Sequence, residues 1–248
     1  MPIIYSSSSG TEDDGLVAKT NQSSWANARD ATSGTAQDGF AQSSSFTLVA
    51  RGASRTGGIV YSVGRSFLVF DTSGITATVA SATLSIYGFS QNDGSIIAVK
   101  STAFGGDGGT SLASGDFNAI SGYSSGSSLA GSATTYGPQI LTSSWSTSGY
   151  NDFTATSDLL TDMKNNDVVI ICFMDYTNDY LNSALTSNAF LNCGGHYAEH
   201  DGAGTSRDPK IDYTLVTGYG NAVNGIAAAN ISKVNGIATA NISKVNGI

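Results

Sequence analysis

Charge is scarce in this chain. Of 248 residues only 12% are Asp, Glu, Lys or Arg, about half the share of an ordinary soluble protein. What charge there is leans acidic, with 19 carboxylates against 11 basic residues and a net of −8. A binder of the nucleic-acid backbone needs clustered Lys and Arg, so that class is excluded. No apolar run approaches the ~18 residues of a membrane-spanning helix, and no membrane role is expected. Strong helix formers are few, which argues against a helical bundle. Proline (3) and cysteine (2) are rare as well. Cys172 and Cys193 fall in no CxxC or metal-ligand spacing and read as two buried thiols rather than a disulfide framework. The opening MPIIYSSSSGTEDDG has no basic stretch and no apolar core. It does not read as a secretory signal, and synthesis in a reducing cytoplasm is expected.

Small residues are abundant instead: 37 Ser, 25 Thr and 30 Gly. Yet 40% of the chain is hydrophobic, with 11 Tyr and 10 Phe, too apolar for a disordered polymer. Period-2 alternation recurs from about residue 45 onward. It predicts strands over Ser45–Gly52, Gly58–Asp71, Thr78–Phe89, Ile96–Val99, Asn151–Thr156, Val168–Met174, Asn188–Cys193 and Lys210–Val216. In Thr78–Phe89, Ala82, Leu84 and Ile86 alternate with Ser81, Thr83 and Ser85, one apolar face and one polar. VVIICFM at Val168–Met174 is apolar throughout, which predicts a strand covered on both sides. One short helix is predicted over Ser157–Asn165, capped by Ser157, with Leu159, Leu160 and Met163 as its buried stripe. Many short strands, one minor helix and Gly/Ser turns describe an all-β fold: an antiparallel two-sheet jelly-roll β-sandwich over residues 1–217. The Gly/Ser-rich stretch Gly105–Gly137 reads as a long loop tacked down by Leu112, Phe117, Ile120, Tyr123 and Leu129.

From Val223 the chain changes character, reading VNGIAAANISK, VNGIATANISK and VNGI. Asn-Gly favours tight turns and the β-branched residues favour extended backbone, so short extended arms joined by turns are expected rather than helix. The apolar positions Val223, Ile226, Ile231, Val234, Ile237, Ile242, Val245 and Ile248 carry almost no accompanying charge. Two such units are too few to bury that surface alone. Residues 218–248 are therefore read as an assembly arm whose apolar side chains meet another copy of the chain or a partner surface.

Candidate chemistry is thin. His196 and His200 bracket HYAEH beside Glu199 and Asp201, but the flanking glycines make this a loop and no third ligand is evident. Glu12, Asp13, Asp14 and Asp212 could serve a structural Ca²⁺, although solvated carboxylates explain them as well. No G-x-S-x-G occurs, Cys172 sits within a buried strand, and Asp93, Asp107, Asp116, Asp175 and Asp179 show no pairing along the sequence. An enzyme is not expected, nor a cofactor. Trp25, Trp145, Tyr123, Tyr136, Tyr150, Tyr176 and Tyr180 lie near loops, where rings pack into a core or stack on sugars. Trp145, in LTSSWSTSGY, is expected to be the most exposed. Trp145, Trp25 and Tyr150 are the glycan-contact candidates. Arg65 is expected to be buried against a carboxylate such as Asp71 or Asp212, and Asp71 to hold the turn Thr72–Gly74.

The segment RSFLVFDTSGI at Arg65–Ile75 and ATVASATLSIY at Ala77–Tyr87 resemble the signature of disaggregatase-related (DNRLRE-type) β-sandwich modules. FTATSDLLTDMKNN resembles that family's strand and short helix, and TSRDPKIDYTL at Thr205–Leu215 its final strand. The resemblance spans roughly residues 12–217 and implies a jelly-roll fold with a carbohydrate-binding or surface-attachment role; it brings no catalytic site. The closing repeat is similar to repeats that end many phage-type virion proteins after a β-sandwich. Together these imply a non-enzymatic virion surface protein, a capsid decoration or fibre. It would be made in the host cytoplasm and assembled as a homo-oligomer, a trimer by preference, on capsid or tail proteins, with host glycans as further partners. The alternatives are a carbohydrate-binding module of an extracellular protein, or a filament subunit that inserts its arm into the next subunit's sheet edge.

Overall fold

The computed structural model describes residues 1–6, 14–38, 43–198, 206–216, 233–234 and 237–238. Its strands run Ile3–Tyr5 (β1), Asp14–Gln22 (β2), Thr35–Asp38 (β3), Ser43–Ala53 (β4), Ile59–Asp71 (β5), Val79–Asn92 (β6) and Ser95–Lys100 (β7). They continue with Ile140–Leu141 (β8), Tyr150–Thr154 (β9), Val168–Met174 (β10), Ala189–His196 (β11) and Lys210–Leu215 (β12). Trp25–Arg29 (α1) and Ser157–Asn165 (α2) are the α-helices among the described residues.

These twelve strands form one curled, half-barrel sheet ordered β1-β12-β6-β11-β4-β5-β10-β7-β8, with β2 on β5, β3 on β2 and β9 on β6. Every pairing between them is antiparallel. The long strand β6 makes the curl. Its first half pairs with β12 from Val79 to Ser85, its second half with β11 from Gly88 to Gln91, and β9 lies along Thr83–Tyr87. The hand-over falls at Gly88, where a Cβ would sit 1.8 Å from the Ser146 carbonyl oxygen; only glycine lets the Ser146 backbone come this close. At the other end of the curl, Ser6 leaves β1 to bridge Phe70 of β5.

The inside of the curl holds the main core. Ala82, Leu84, Ile86, Phe153 and Ile211 of the β12-β6-β9 limb meet Phe46, Leu68, Phe70, Ile171 and Phe173 of the β4-β5-β10 limb. The hydroxyl-bearing alternates of β6 face outward, as period 2 requires. A second core lies on the opposite face of β5, β10 and β7. There Phe67, Val69, Ile170, Cys172 and Met174 are covered by Phe104 and by Leu112, Phe117, Ile120 and Leu129 of the long Gly/Ser stretch that follows it. Strand β10 is thus sandwiched between two cores, which is why all seven of its residues are apolar.

The structure amends the reading of the sequence at several points. Helix α2 is capped by Thr156, whose hydroxyl accepts from the Leu159 N–H, and not by Ser157; Leu159 and Met163 are buried as expected. Strands β1, β2, β3 and β8 and helix α1 carry no clear periodicity in the sequence. His196 ends strand β11 rather than lying in a loop. In the arm, Lys233–Val234 pairs antiparallel with Ile237–Ala238, extended backbone as the Asn-Gly spacing predicts. Val223, Ile226, Ile231, Ile242, Val245 and Ile248 lie outside the described residues.

Candidate functional site

The outer face of the β1-β12-β6-β9 limb is built by strand alternation. With Ile4, Ile211, Leu84 and Phe153 packed inward, their sequence neighbours point out. Cross-strand register then sets Tyr5 opposite Lys210, Lys210 opposite Ser85 and Ser85 opposite Asp152. The adjacent row is Asp212, Thr83 and Thr154, and Tyr87 stands opposite Tyr150. Short hydroxyl side chains on β6 lie between longer ones on β9 and β12. The result is a groove of about 390 Å³ lined by Thr83, Ser85, Tyr150, Asp152, Lys210 and Asp212, with Met1 at its edge.

Its polar groups are held by one another. The Ser85 hydroxyl donates to Asp152 Oδ1 at 2.7 Å, and Lys210 Nζ stands 2.9 Å from Asp212 Oδ2. Tyr150 is half-buried, and its hydroxyl reaches the Ser206 and Asp208 carbonyls at 3.2 and 3.1 Å. Burial pushes the Tyr150 phenol up to about 12, helped by the nearby Tyr5, Asp208 and Asp212; the ring is a neutral donor at any physiological pH. Lys210 Nζ sits 4.8 Å from its centroid.

Tyr150 also belongs to a row of rings. Tyr150 and Tyr87 meet edge to face at 5.3 Å, Tyr87 and His196 at 5.4 Å, and His196 and Phe89 at 5.9 Å. The Arg207 guanidinium lies 5.8 Å from the Tyr87 ring centroid. Phe89, at the end of the row, is 52% exposed.

The other glycan-contact candidates lie elsewhere. Trp145 is buried, not exposed: it packs in the main core and its indole Nε1 donates to the Gly194 carbonyl at 3.1 Å. Its Ser/Thr neighbours suggest a surface position, but strand β11 covers the ring. Trp25 is half-buried against the second core, edge-on to Tyr61, with Nε1 donating to Asn182 Oδ1 at 2.8 Å. The three rings form no common platform. Tyr87, Phe89, Asp152, Thr83, Ser85 and Lys210 are the residues that sequence reasoning misses here. The signal available was the outward alternation in Thr83–Phe89, but the register with β9 and β12 cannot be read from one strand.

Several other titratable groups have structural partners, whereas Asp93 meets Asn192 only through a backbone bridge. Arg65 is buried, but against Asp179 rather than Asp71 or Asp212, with Nε and Nη2 each 2.7 Å from a carboxylate oxygen. Asp71 accepts from the Ser73 N–H and hydroxyl, holding the expected turn, and these bonds keep its carboxyl below the usual range. Asp175 caps the π turn Tyr176–Tyr180 and accepts from the Ser95 N–H; burial raises its carboxyl. Asp107 and Asp116 accept backbone N–H groups of Gly109 and Ala113. A second cleft, about 550 Å³, is lined by Lys100, Tyr136 and Asn166 among others. There the Lys100 ammonium and the Tyr136 hydroxyl both engage Asp162 Oδ2, at 2.9 and 2.5 Å. Of the Ca²⁺ candidates, Asp14 is buried and accepts from the Ala198 N–H, while Asp212 pairs with Lys210 on a different limb. Glu12, Asp13, Glu199, His200 and Asp201 lie outside the described residues. Among those described, no three His, Cys, Asp or Glu side chains converge to hold a metal, and no helix is long and apolar enough to cross a membrane.

Set against known proteins, the chain matches no family model and no curated sequence.

Proposed function

We propose that this is a non-enzymatic display protein of a virus particle, of the capsid-decoration or fibre type. Its head, a jelly-roll sandwich in which the two limbs of the curled sheet act as facing layers, is carried on the repeat arm. The observation that carries this reading is the arm's hairpin. Val234 pairs with Ile237, and Ile237 is 55% exposed. Among the described residues, the head holds two cores of its own. Apolar side chains repeated at this spacing need a surface to cover them, and identical arms in a symmetric oligomer supply it for one another. The likeness of the head to disaggregatase-related modules, and of the repeat to virion C-termini, agrees with this assignment. A homotrimer anchored on capsid or tail proteins is the arrangement proposed.

Light scattering coupled to size exclusion tests it. The full chain is expected to run as an oligomer, and Ile226→Asp/Ile237→Asp, or a chain ending at Gly218, as a monomer. A monomeric full chain overturns the proposed self-assembly. An oligomer that survives both changes overturns the arm's part in it.

A further inference from the structure

We propose that the trough across the C-terminal turn of α2 is the seat for the arm hairpin of a second copy of this chain, with Val234 and Ile237 on its apolar floor and Lys233 beside Asp167. The inference rests on the self-assembly reading above and names the surface that the arm covers.

The trough has two joined parts. An apolar pocket of about 210 Å³ is lined by Thr78, Val79, Leu160, Thr161, Lys164 and Asn165. Asn165 also lines the cleft of about 550 Å³, which carries Asp107 and Asp167 on its wall. Strand β6 begins at Val79, and Leu160 of α2 packs against the main core. The floor of the pocket is therefore the seam between helix and sheet.

Charge decides what the cleft takes. Lys100 is held by Asp162 at 2.9 Å. Among the described residues neither Asp107 nor Asp167 pairs with a basic side chain. Asp107 gives its Oδ1 to the Gly109 N–H, which leaves Oδ2 able to accept. Asp71 stands opposite Val168 in register, so the carboxylates of Asp71, Asp107, Asp162 and Asp167 face only the ammonium groups of Lys100 and Lys164. The negative end of α2 adds to that field. A cationic ligand is favoured and an anionic one repelled.

The arm matches on both counts. Residues 218–248 hold Lys233 and Lys244 and no carboxylate, so the arm carries +2, while the head, with nine basic residues against 19 carboxylates, carries −10. Val234 stands opposite Ile237, and directly opposed side chains share one face of a ribbon, so the hairpin presents a compact aliphatic pair. Lys233 leaves from the other face, and its long flexible stem lets the ammonium curl round the ribbon's edge to a carboxylate. In the single chain Lys233 and Ile237 are both exposed, Ile237 by 55%, so the chain's own trough does not cover them.

Position favours a neighbour. The Val216 N–H donates to the Thr78 carbonyl at 2.8 Å, so the chain leaves the head at the rim of the apolar pocket. Residues 217–232 span up to about 50 Å when extended, enough to pass from one copy's rim to the next. Copies joined by their arms bring these rims together, and a trough filled at each step by the neighbour's hairpin closes a symmetric ring.

Light scattering coupled to size exclusion on full-length variants tests the seat. Thr161→Arg fills the apolar pocket from an exposed position, and Asp167→Lys reverses an exposed charge beside it. Each is expected to raise the dissociation concentration of the oligomer by about tenfold or more. Lys233→Asp is expected to do the same alone and to restore assembly when combined with Asp167→Lys, a rescue that misfolding cannot give. Asn27→Arg, on the groove beside α1, is expected to leave the oligomer intact. A mixture of Thr161→Cys chains and Val234→Cys chains is expected to yield a covalent dimer with diamide, Cys172 and Cys193 being buried. An oligomer that falls apart in Ile237→Asp but survives Thr161→Arg and Asp167→Lys overturns this seat and leaves self-assembly standing. A disulfide that forms only inside a chain carrying both new cysteines also overturns it, since the arm then covers its own head. A monomeric full chain overturns the seat and the self-assembly together.

Discussion

The Arg65 guanidinium and the Asp179 carboxylate form a two-pronged ion pair at full burial, Nε to Oδ2 and Nη2 to Oδ1, both 2.7 Å. The pair is the hub of the second core. Arg65 also donates to the carbonyls of Phe117 and Arg29 and lies 4.3 Å from the Phe117 ring centroid, while Arg29 Nε reaches the Asp179 carbonyl at 3.0 Å. One salt bridge therefore ties β5, α1, the long Gly/Ser segment and the π turn together. Burial alone would lower the guanidinium's pKa, but Asp179 outweighs it and holds Arg65 protonated.

Removing one member of this pair strands the other's charge. Asp179→Ala is expected to lower unfolding free energy by about 3–5 kcal/mol, read from urea midpoints. Pairing it with Arg65→Met is expected to recover a substantial part of that loss. If the double variant is no more stable than Asp179→Ala, the cost does not come from the stranded Arg65 charge, which leaves Arg29, its Nε 3.5 Å from Asp179 Oδ1, as the other charge exposed by the change.

Trp145 gives a second stability test. Trp145→Ala empties a site in the main core and is expected to cost about 3–5 kcal/mol. Trp145→Phe, which keeps most of the ring volume but loses the bond to the Gly194 carbonyl, is expected to cost about 1–3 kcal/mol.

At the hand-over in β6, Gly88→Ala drives a methyl group into the Ser146 carbonyl. A loss of about 3 kcal/mol is expected. Gly52→Ala, in β4 where nothing lies within 4 Å of a new Cβ, is expected to change the urea midpoint little.

Alkaline pH is expected to weaken the fold. Burial pushes the Cys193 thiol up to about 12 and raises Cys172, Tyr136 and Tyr197 as well. In the unfolded chain thiols ionise near ~8.5, so above that pH the unfolded state holds fewer protons than the folded one. Stability is then lost as pH rises, and the Cys193 contribution levels off near 12. Urea midpoints at pH 8, 9.5 and 10.5 check this, and Cys193→Ala is expected to flatten the slope. Both thiols are free and buried, so a disulfide reagent is expected to titrate two only after denaturation.

Some of this architecture is legible in one sequence because it depends on local pattern. VVIICFM announces a strand buried on both faces, and Ala82, Leu84 and Ile86 announce an inward row. Strand β2 is not legible in the same way. Its buried Asp14 is satisfied by the Ala198 N–H, 184 residues away, and hydrophobic periodicity cannot register a polar residue buried by a distant partner. Asp179 meets Arg65 across 114 residues, whereas sequence reasoning looks first to nearer or strand-end carboxylates. Trp145 misleads for the converse reason, since polar neighbours say nothing about a strand that arrives from residues 189–196. In the groove only Tyr150 and Asp212 stand out beforehand, and Asp212 for other roles. The others become a site through register, which is a property of pairs of strands.

The strap from Ile3 to Ser6 has a consequence for how the molecule is made. Ile4 pairs with Ile211, so during synthesis the opening strand has no place to lie until nearly all the head has left the ribosome. That strand pair cannot close before residues 210–212 have been made, and a nascent chain stalled before Lys210 would leave the first strand without its β12 partner and the limb's edge open to a stray neighbour.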